Sequence, residues 1–173
     1  TVPAVKTAAE TTRNKRIGIL STIATAKSKY QKNLIKKFAK DCLVVNKGDI
    51  ELVSYIEKGN TKSKKVKKIL RDSLKEFLAK DVDVIALGCS HFPFLKEQIQ
   101  KILGRNVLVL DSGAAIARQV RRVLANNNNL SSSNNPSYTF YTTENAKGLT
   151  RVSKKLVGED FVGLIKLAWH ISL

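Results

Sequence analysis

Three features of the sequence predict an α/β fold built on a mostly parallel sheet. Short apolar runs such as Val84-Ile85-Ala86-Leu87 and Val107-Leu108-Val109-Leu110 lack polar alternation, as strands covered on both faces require. Between them lie longer stretches whose apolar residues recur every three or four positions, the mark of helices with one buried side. The two patterns take turns along the chain, which is the order that βαβ units produce.

Arg16 opens the first strand, whose body is Ile17-Gly18-Ile19-Leu20. Ser21, Thr22 and Thr25 offer N-caps for a following helix, and Ala26, Tyr30, Leu34 and Phe38 give it a buried stripe. Leu43-Val44-Val45 reads as a second strand and Asn46-Lys47-Gly48-Asp49 as a turn. A short helix covers Ile50 to Ile56 and ends near Gly59. Thr61 to Lys80 is the clearest helix: Val66, Ile69, Leu70, Leu74, Phe77 and Leu78 share one face, and lysines 62, 64, 65, 67 and 68 decorate the other.

Val82 to Gly88 suits a buried parallel strand. Pro93 can start a helix, with Leu95, Ile99 and Ile102 as its buried edge and Gly104 as its end. Another buried strand, Val107 to Leu110, leads through Asp111-Ser112-Gly113 into an amphipathic helix carrying Ile116, Val120, Val123 and Leu124. Residues 126–136 are polar and of low complexity, and read as a flexible loop. Tyr138 to Thr142 alternates like a strand, and Thr143 is the expected cap of a further helix. The apolar tail from Phe161 to Leu173 suits a closing strand, with Trp169 as a packing residue and His170 without an evident partner.

The bulk properties narrow the function classes. A chain of 173 residues with 43% hydrophobic and 26% charged residues is expected to pack one core or slightly more. No apolar run approaches the roughly 18 residues that span a bilayer, and the N-terminal stretch lacks the apolar core of a secretory signal. The expectation is a cytoplasmic protein without membrane contact. Cys42 and Cys89 stand far apart, outside any Cys-x-x-Cys pair or His cluster. Free thiols are expected and a metal site is not. The net charge of +17 is the odd feature. It permits non-specific binding to polyanions. Lysine outweighs arginine and aromatics are 6%, which argues for a solvated basic surface over a dedicated nucleic-acid site.

Ligands of parallel sheets bind beyond the carboxyl ends of the strands. Cys89 and Asp111 both fall just past such ends. In Cys89-Ser90-His91 a thiol, a hydroxyl and an imidazole lie within three residues. A helix from Pro93 would point its positive end at this loop, favouring a thiolate or a carboxylate ligand. This combination fits a reactive centre. It equally fits a buried structural cysteine beside a hydrogen-bonded loop histidine, and spacing alone does not choose.

A resemblance adds to this reading. Ala86-Leu87-Gly88-Cys89-Ser90-His91-Phe92-Pro93-Phe94-Leu95 is similar to the second cysteine motif of glutamate racemases, Leu-Gly-Cys-Thr-His-Tyr-Pro-Leu-Leu. Leu110-Asp111-Ser112-Gly113 matches that family's Asp-Ser-Gly after the next strand, and Phe140-Tyr141-Thr142-Thr143 resembles a late segment of it. Upstream, Val2-Pro3-Ala4 and the run from Ile17 to Thr25 look like the linker and first strand of the family's second lobe. The order and spacing agree over nearly the whole chain. Ser90 stands where the family has Thr, and Phe92 where it has Tyr.

The resemblance implies a flavodoxin-like lobe of the Asp/Glu racemase fold in residues 1–110. It implies that residues 111–173 are C-terminal pieces of an incomplete first lobe. It implies interconversion of L- and D-glutamate for peptidoglycan by two cysteines, with no cofactor and no metal. Cys89 would be one acid/base, His91 its assistant, and Ser90 a substrate-binding hydroxyl. Glu51 is the best match for the acidic residue of the second lobe, with Glu57 behind it. Cys42 resembles a non-catalytic position. The motifs of the family's first half, among them a Cys-Asn-Thr that bears the other thiol, have no counterpart in these residues. The expectation is therefore a fragment whose partner is the missing N-terminal half, inactive alone, with room for a homodimer. Rival readings are a racemase of aspartate or a hydantoin, and a degenerate lobe reused as a basic binding module.

Overall fold

The computed structural model describes residues 2–133, 135–143, 145–158 and 164–167. It opens on a helix that periodicity alone does not announce, α1 (Val2–Thr11), where the resemblance suggests a linker. Ala4, Val5, Ala8 and Ala9 form its buried side. Small residues at this spacing let the helix lie close against the sheet. Strand β1 (Arg16–Thr22) comes next. One continuous helix is expected after it, but two short ones form: α2 (Ile23–Lys27), capped by Thr22, and α3 (Lys29–Phe38), capped by Ser28. Each cap hydroxyl accepts a backbone N–H three residues on. The Ser28 cap breaks the four-residue stripe, so Leu34 and Gln31 are buried while Tyr30 is 60% exposed.

Strand β2 (Leu43–Asp49) corrects the reading of residues 46–49 as a turn. Asn46, Lys47, Gly48 and Asp49 continue the ladder opposite Ile19 to Thr22. The polar composition misleads because β2 lies at the edge of the sheet, where one side of the strand meets water. Gly48 is there for space: a Cβ at that position would lie 2.6 Å from the Cα of Ile23.

Helices α4 (Leu52–Glu57) and α5 (Lys64–Ala79) come next, and then β3 (Val84–Leu87). A 3₁₀ turn (Phe92–Leu95) precedes α6 (Lys96–Leu103) and β4 (Leu108–Leu110). The four strands form a parallel sheet in the order β2-β1-β3-β4. The predicted α/β class thus holds, and the order is the flavodoxin-like one. Side chains alternate across it as the pleat demands. Ile17, Ile19, Val84 and Ala86 face a core with α1 and Ala39. Leu20, Val45, Ile85, Leu87 and Val109 face a larger core with α4, α5, the 3₁₀ turn and α6. At Gly18 the ring of Phe77 lies where a Cβ would be, 2.9 Å away, so α5 rests directly on the backbone of β1.

The rest of the chain is less covered. α7 (Gly113–Asn126) has no buried residue. Strand β5 (Thr139–Thr142), helix α8 (Ala146–Val157) and strand β6 (Leu164–Leu167) complete the fold, and β5 pairs with β6 in a separate parallel two-stranded sheet. The cap of α8 is Asn145, whose side chain accepts the Gly148 N–H, and not Thr143. Of the expected closing strand, residues 164–167 are seen. Trp169 and His170 lie outside the described residues. Among the described residues no helix is long and apolar enough to cross a membrane.

Candidate active site

Strand β3 delivers its chemistry at its carboxyl end. Its buried residues stop at Leu87, and the Gly88 N–H still donates to the Leu20 carbonyl of β1 at 2.8 Å. The chain then leaves the sheet. Cys89, half-buried, is the second residue past the strand. The adjoining 3₁₀ turn holds this loop in place. Phe92 and Leu95 are fully buried, and the Phe92 and Phe94 N–H groups donate back to the carbonyls of Cys89 and His91. Pro93 occupies the first turn, where a missing N–H is harmless. The expected helix from Pro93 is therefore a 3₁₀ turn, and the α-helix begins only at Lys96.

Within this loop the Cys89 Sγ lies 3.9 Å from His91 Nδ1. On the other side of the ring, His91 Nε2 is 3.3 Å from Glu57 Oε1. Glu57 is the last residue of α4, whose Leu52 and Ile56 are fully buried. That helix is set in turn by Asp49 at the end of β2. One Asp49 oxygen accepts the N–H groups of Glu51 and Leu52, and the other accepts the Ser73 hydroxyl of α5. A buried face thus fixes α4, and its C-terminal carboxylate is held against the imidazole.

The arrangement has a definite chemical sense. A carboxylate at Nε2 selects the tautomer that carries its proton there. Nδ1, left without a proton, then faces the Cys89 sulfur as a hydrogen-bond acceptor. Ser90 is exposed next to the thiol. Glu51, favoured in sequence as the acidic partner, is elsewhere: its carboxylate faces Lys65 of α5 at 3.8 Å. Which carboxylate lies beside His91 follows from tertiary contacts, although Glu57 stands next to the end of the predicted helix.

The neighbouring strand end adds hydroxyls that the sequence pattern marks only as caps. The Thr22 hydroxyl donates to Thr25 Oγ1 at 2.9 Å at the same edge of the sheet. On the other flank, Asp111 ends β4 but is committed: Lys96 Nζ lies 2.8 Å from one oxygen and the Gly113 N–H donates to the other. These bonds hold its carboxyl below the usual carboxylate range, against the upward push of burial. Asp111 therefore ties α6 to the start of α7.

Cys42 stands apart from this edge. It precedes β2 at the amino end of the sheet, opposite the start of β1. With six residue steps along β1 between the two edges, the thiols are separated by about 20 Å or more. Burial pushes the Cys42 thiol up, outweighing the nearby charge of Lys15, so it is a poor source of thiolate. Both cysteines are free.

Beside the Glu57 end of the cluster lies a cavity of about 580 Å³, bounded by α4, the loop after β3 and α8. Cys89 does not line it.

Comparison with known proteins agrees with this architecture. The Asp/Glu/hydantoin racemase family profile matches residues 2–120. The chain is 43% identical over 124 residues to a glutamate racemase of Shewanella sp. (strain MR-4), covering 72% of this chain and 46% of that protein. It is 41% identical over 157 residues to the glutamate racemase of Shewanella halifaxensis, covering 89% of this chain and 59% of that one. It therefore spans about half the length of relatives it matches, 46% in the first case. Among solved structures, Escherichia coli glutamate racemase, in complex with L-glutamate and the activator UDP-MurNAc-ala, superposes with a TM-score of 0.75 at 30% identity, over 95% of this chain and 62% of that one. The RacE1 isoform from Bacillus anthracis shares the fold with a TM-score of 0.84 at 21% identity, over 99% of this chain and 63% of that one.

Proposed function

This chain belongs to the Asp/Glu/hydantoin racemase family, and on that footing we propose that it supplies one face of a cofactor-independent glutamate racemase. The observation that carries the reading is the line Cys89–His91–Glu57 at the carboxyl edge of the sheet. Cys89 thiolate removes the α-proton of one glutamate enantiomer, or as thiol returns a proton to the carbanion. His91 exchanges the thiol proton through Nδ1, and Glu57 holds the ring and balances its charge. Ser90 hydrogen-bonds the substrate. The family profile spans aspartate, glutamate and hydantoin racemases. The relatives at 41–43% identity are named glutamate racemases, which favours glutamate. Such an enzyme works in the cytoplasm and feeds D-glutamate to peptidoglycan synthesis.

Inversion needs a second acid/base on the opposite face of Cα. Cys42 is at the wrong edge of the sheet, so the second thiol comes from polypeptide outside these 173 residues. The bare side of α7 supports this. Ile116, Val120, Val123 and Leu124 share one helical stripe and are 38–51% exposed. A stripe of that kind is expected to be covered. We read residues 1–110 as the lobe that carries Cys89 and residues 111–173 as part of the lobe that the remaining polypeptide completes.

The test is reconstitution. The chain is co-expressed with the first half of the Shewanella halifaxensis glutamate racemase, and D-glutamate formation from L-glutamate is followed by circular dichroism. Turnover is expected from the pair, none from the chain alone, and none after Cys89→Ser. Turnover by the chain alone would overturn the two-face reading. L-aspartate as a second substrate decides the specificity.

A further inference from the structure

The positive charge of this chain is unevenly placed. The thirty residues 11–40 hold nine lysines and arginines and no aspartate or glutamate. Helix α3 lies within this run. It buries Gln31 and Leu34, and Ile35 and Phe38 pack against the core shared with α1, on the side of the sheet away from α4 and α5. Lys29, Lys32 and Lys36, at i, i+3 and i+7, therefore form one exposed row, and Tyr30, Asn33 and Lys37 form a second row beside it. Folding alone does not favour the first row. Lys29 is the first residue of α3, at the positive end of the helix dipole, and no carboxylate stands in that turn. Lys32 and Lys36 are like charges one turn apart, which repel. Among the described residues none of the three has an ion-pair partner, whereas Lys47, Lys65, Lys75, Lys96 and Lys101 each have one. Helix α5 is also rich in lysine, but it interleaves Asp72 and Glu76. In the second row, Tyr30 is more exposed than any other aromatic side chain among the described residues, at 60%.

We propose that the exposed face of α3 binds single-stranded nucleic acid, with the lysine row on successive phosphates and the Tyr30 ring stacked on a base. Phosphates relieve the repulsion among the ammonium groups, and binding releases counterions from the strand. The row is one helix long and linear, so it follows a linear polyanion better than the plane of an anionic membrane. The aromatic ring selects the single strand, whose bases offer a free π-face, over a duplex that keeps its bases stacked inside. Composition as a whole points to a solvated basic surface, but the placement of the charges singles out α3. This inference goes beyond the racemase reading and does not depend on it, since Cys89 packs against the core on the other side of the sheet.

Fluorescence anisotropy of a labelled oligothymidylate, titrated with the full chain across a salt series, reads the binding. A Kd of about 10⁻⁴–10⁻⁶ M is expected near physiological salt, weakening linearly on a log–log scale as salt rises. Lys29→Gln, Lys32→Gln and Lys36→Gln together should weaken binding by about tenfold or more and lower the salt slope by about 2. The same three positions changed to Arg should keep it within about threefold. Tyr30→Leu should weaken it by about fivefold or more with the salt slope unchanged. Lys64→Gln, Lys67→Gln and Lys68→Gln remove the same charge from α5 and should cost less than about threefold. If the α3 glutamine variant misfolds, the amide spectrum of the unaltered chain decides instead: oligonucleotide-induced shifts centred on residues 29–37 support the proposal, and shifts centred on α5 overturn it. No binding, equal losses from the α3 and α5 sets, or a Tyr30→Leu variant that binds as well as the parent would also overturn it. So would tighter binding of a duplex of the same length, or a preference for phosphatidylserine vesicles over the oligonucleotide.

Discussion

On the proposed mechanism Cys89, His91 and Glu57 have separable duties, so their variants should fail differently. In the reconstituted enzyme, Cys89→Ser is expected to abolish turnover, because a hydroxyl does not supply an anion near neutral pH. His91→Asn removes the proton acceptor and should lower kcat by about 10²–10⁴, the usual worth of a positioned acid or base. Glu57→Gln keeps the size and removes the charge. It should lower kcat by about tenfold or more and leave KM nearly unchanged. Glu51→Gln should stay within about twofold of the parent, since Glu51 faces an exposed lysine. Rates by circular dichroism check the series. Gln31 makes a second prediction at this scale. It is fully buried, and neither its amide nitrogen nor its oxygen has a partner among the described residues. An unsatisfied buried amide costs free energy that an apolar side chain does not. Gln31→Leu should raise stability by about 1 kcal/mol in urea unfolding, and a loss of stability would show that the amide is satisfied by water.

Among the elements, the amino edge of the sheet is tied by one carboxylate. Asp83, just before β3, accepts the Thr12 hydroxyl at 2.5 Å and the Arg13 and Asn14 N–H groups at 2.7 and 3.3 Å. Burial pushes its carboxyl up, but these donors, with the charge of Arg13, outweigh that and hold it below the usual range. A carboxyl depressed on folding stabilises above its unfolded pKa and loses that contribution as pH falls through the folded one. Asp83→Ala should therefore cost about 1–3 kcal/mol at pH 7, and the difference from the parent should shrink below about pH 4. Urea unfolding from pH 7 to pH 3 measures it. The elements also differ in how far the sequence discloses them. β3 is buried on both faces, so its composition alone betrays it. The outer half of β2 reads as a turn because its residues are polar, and only pairing with β1, nearly thirty residues away in sequence, makes it a strand. α1 is short and rich in alanine, so its role emerges from the sheet it covers. The thiol–imidazole pair is local and was legible from three adjacent residues. The carboxylate beside the imidazole lies 34 positions upstream of His91, and the packing of α4 brings it there.

For the molecule as a whole, the sheet with its two cores is covered on both sides, while α7 is not. A chain of this kind should fold by itself and still expose an assembly face. Val120→Glu lies on the exposed stripe and far from the relay in sequence. It should leave thermal unfolding of the isolated chain within about 0.5 kcal/mol of the parent, yet prevent co-purification with the first half of a racemase. Assembly undisturbed by that charge would mean that the stripe is not the joining surface. The two-face mechanism itself is tested most sharply by racemisation of L-glutamate by the reconstituted enzyme in D₂O, sampled at low conversion by NMR and mass spectrometry. If Cys89 works one face and a second thiol the other, the D-glutamate formed carries deuterium at Cα while unreacted L-glutamate keeps its proton, and Cys89→Ser ends the formation of D-glutamate. Deuterium entering both enantiomers equally fast, or turnover undiminished by Cys89→Ser, would contradict that mechanism.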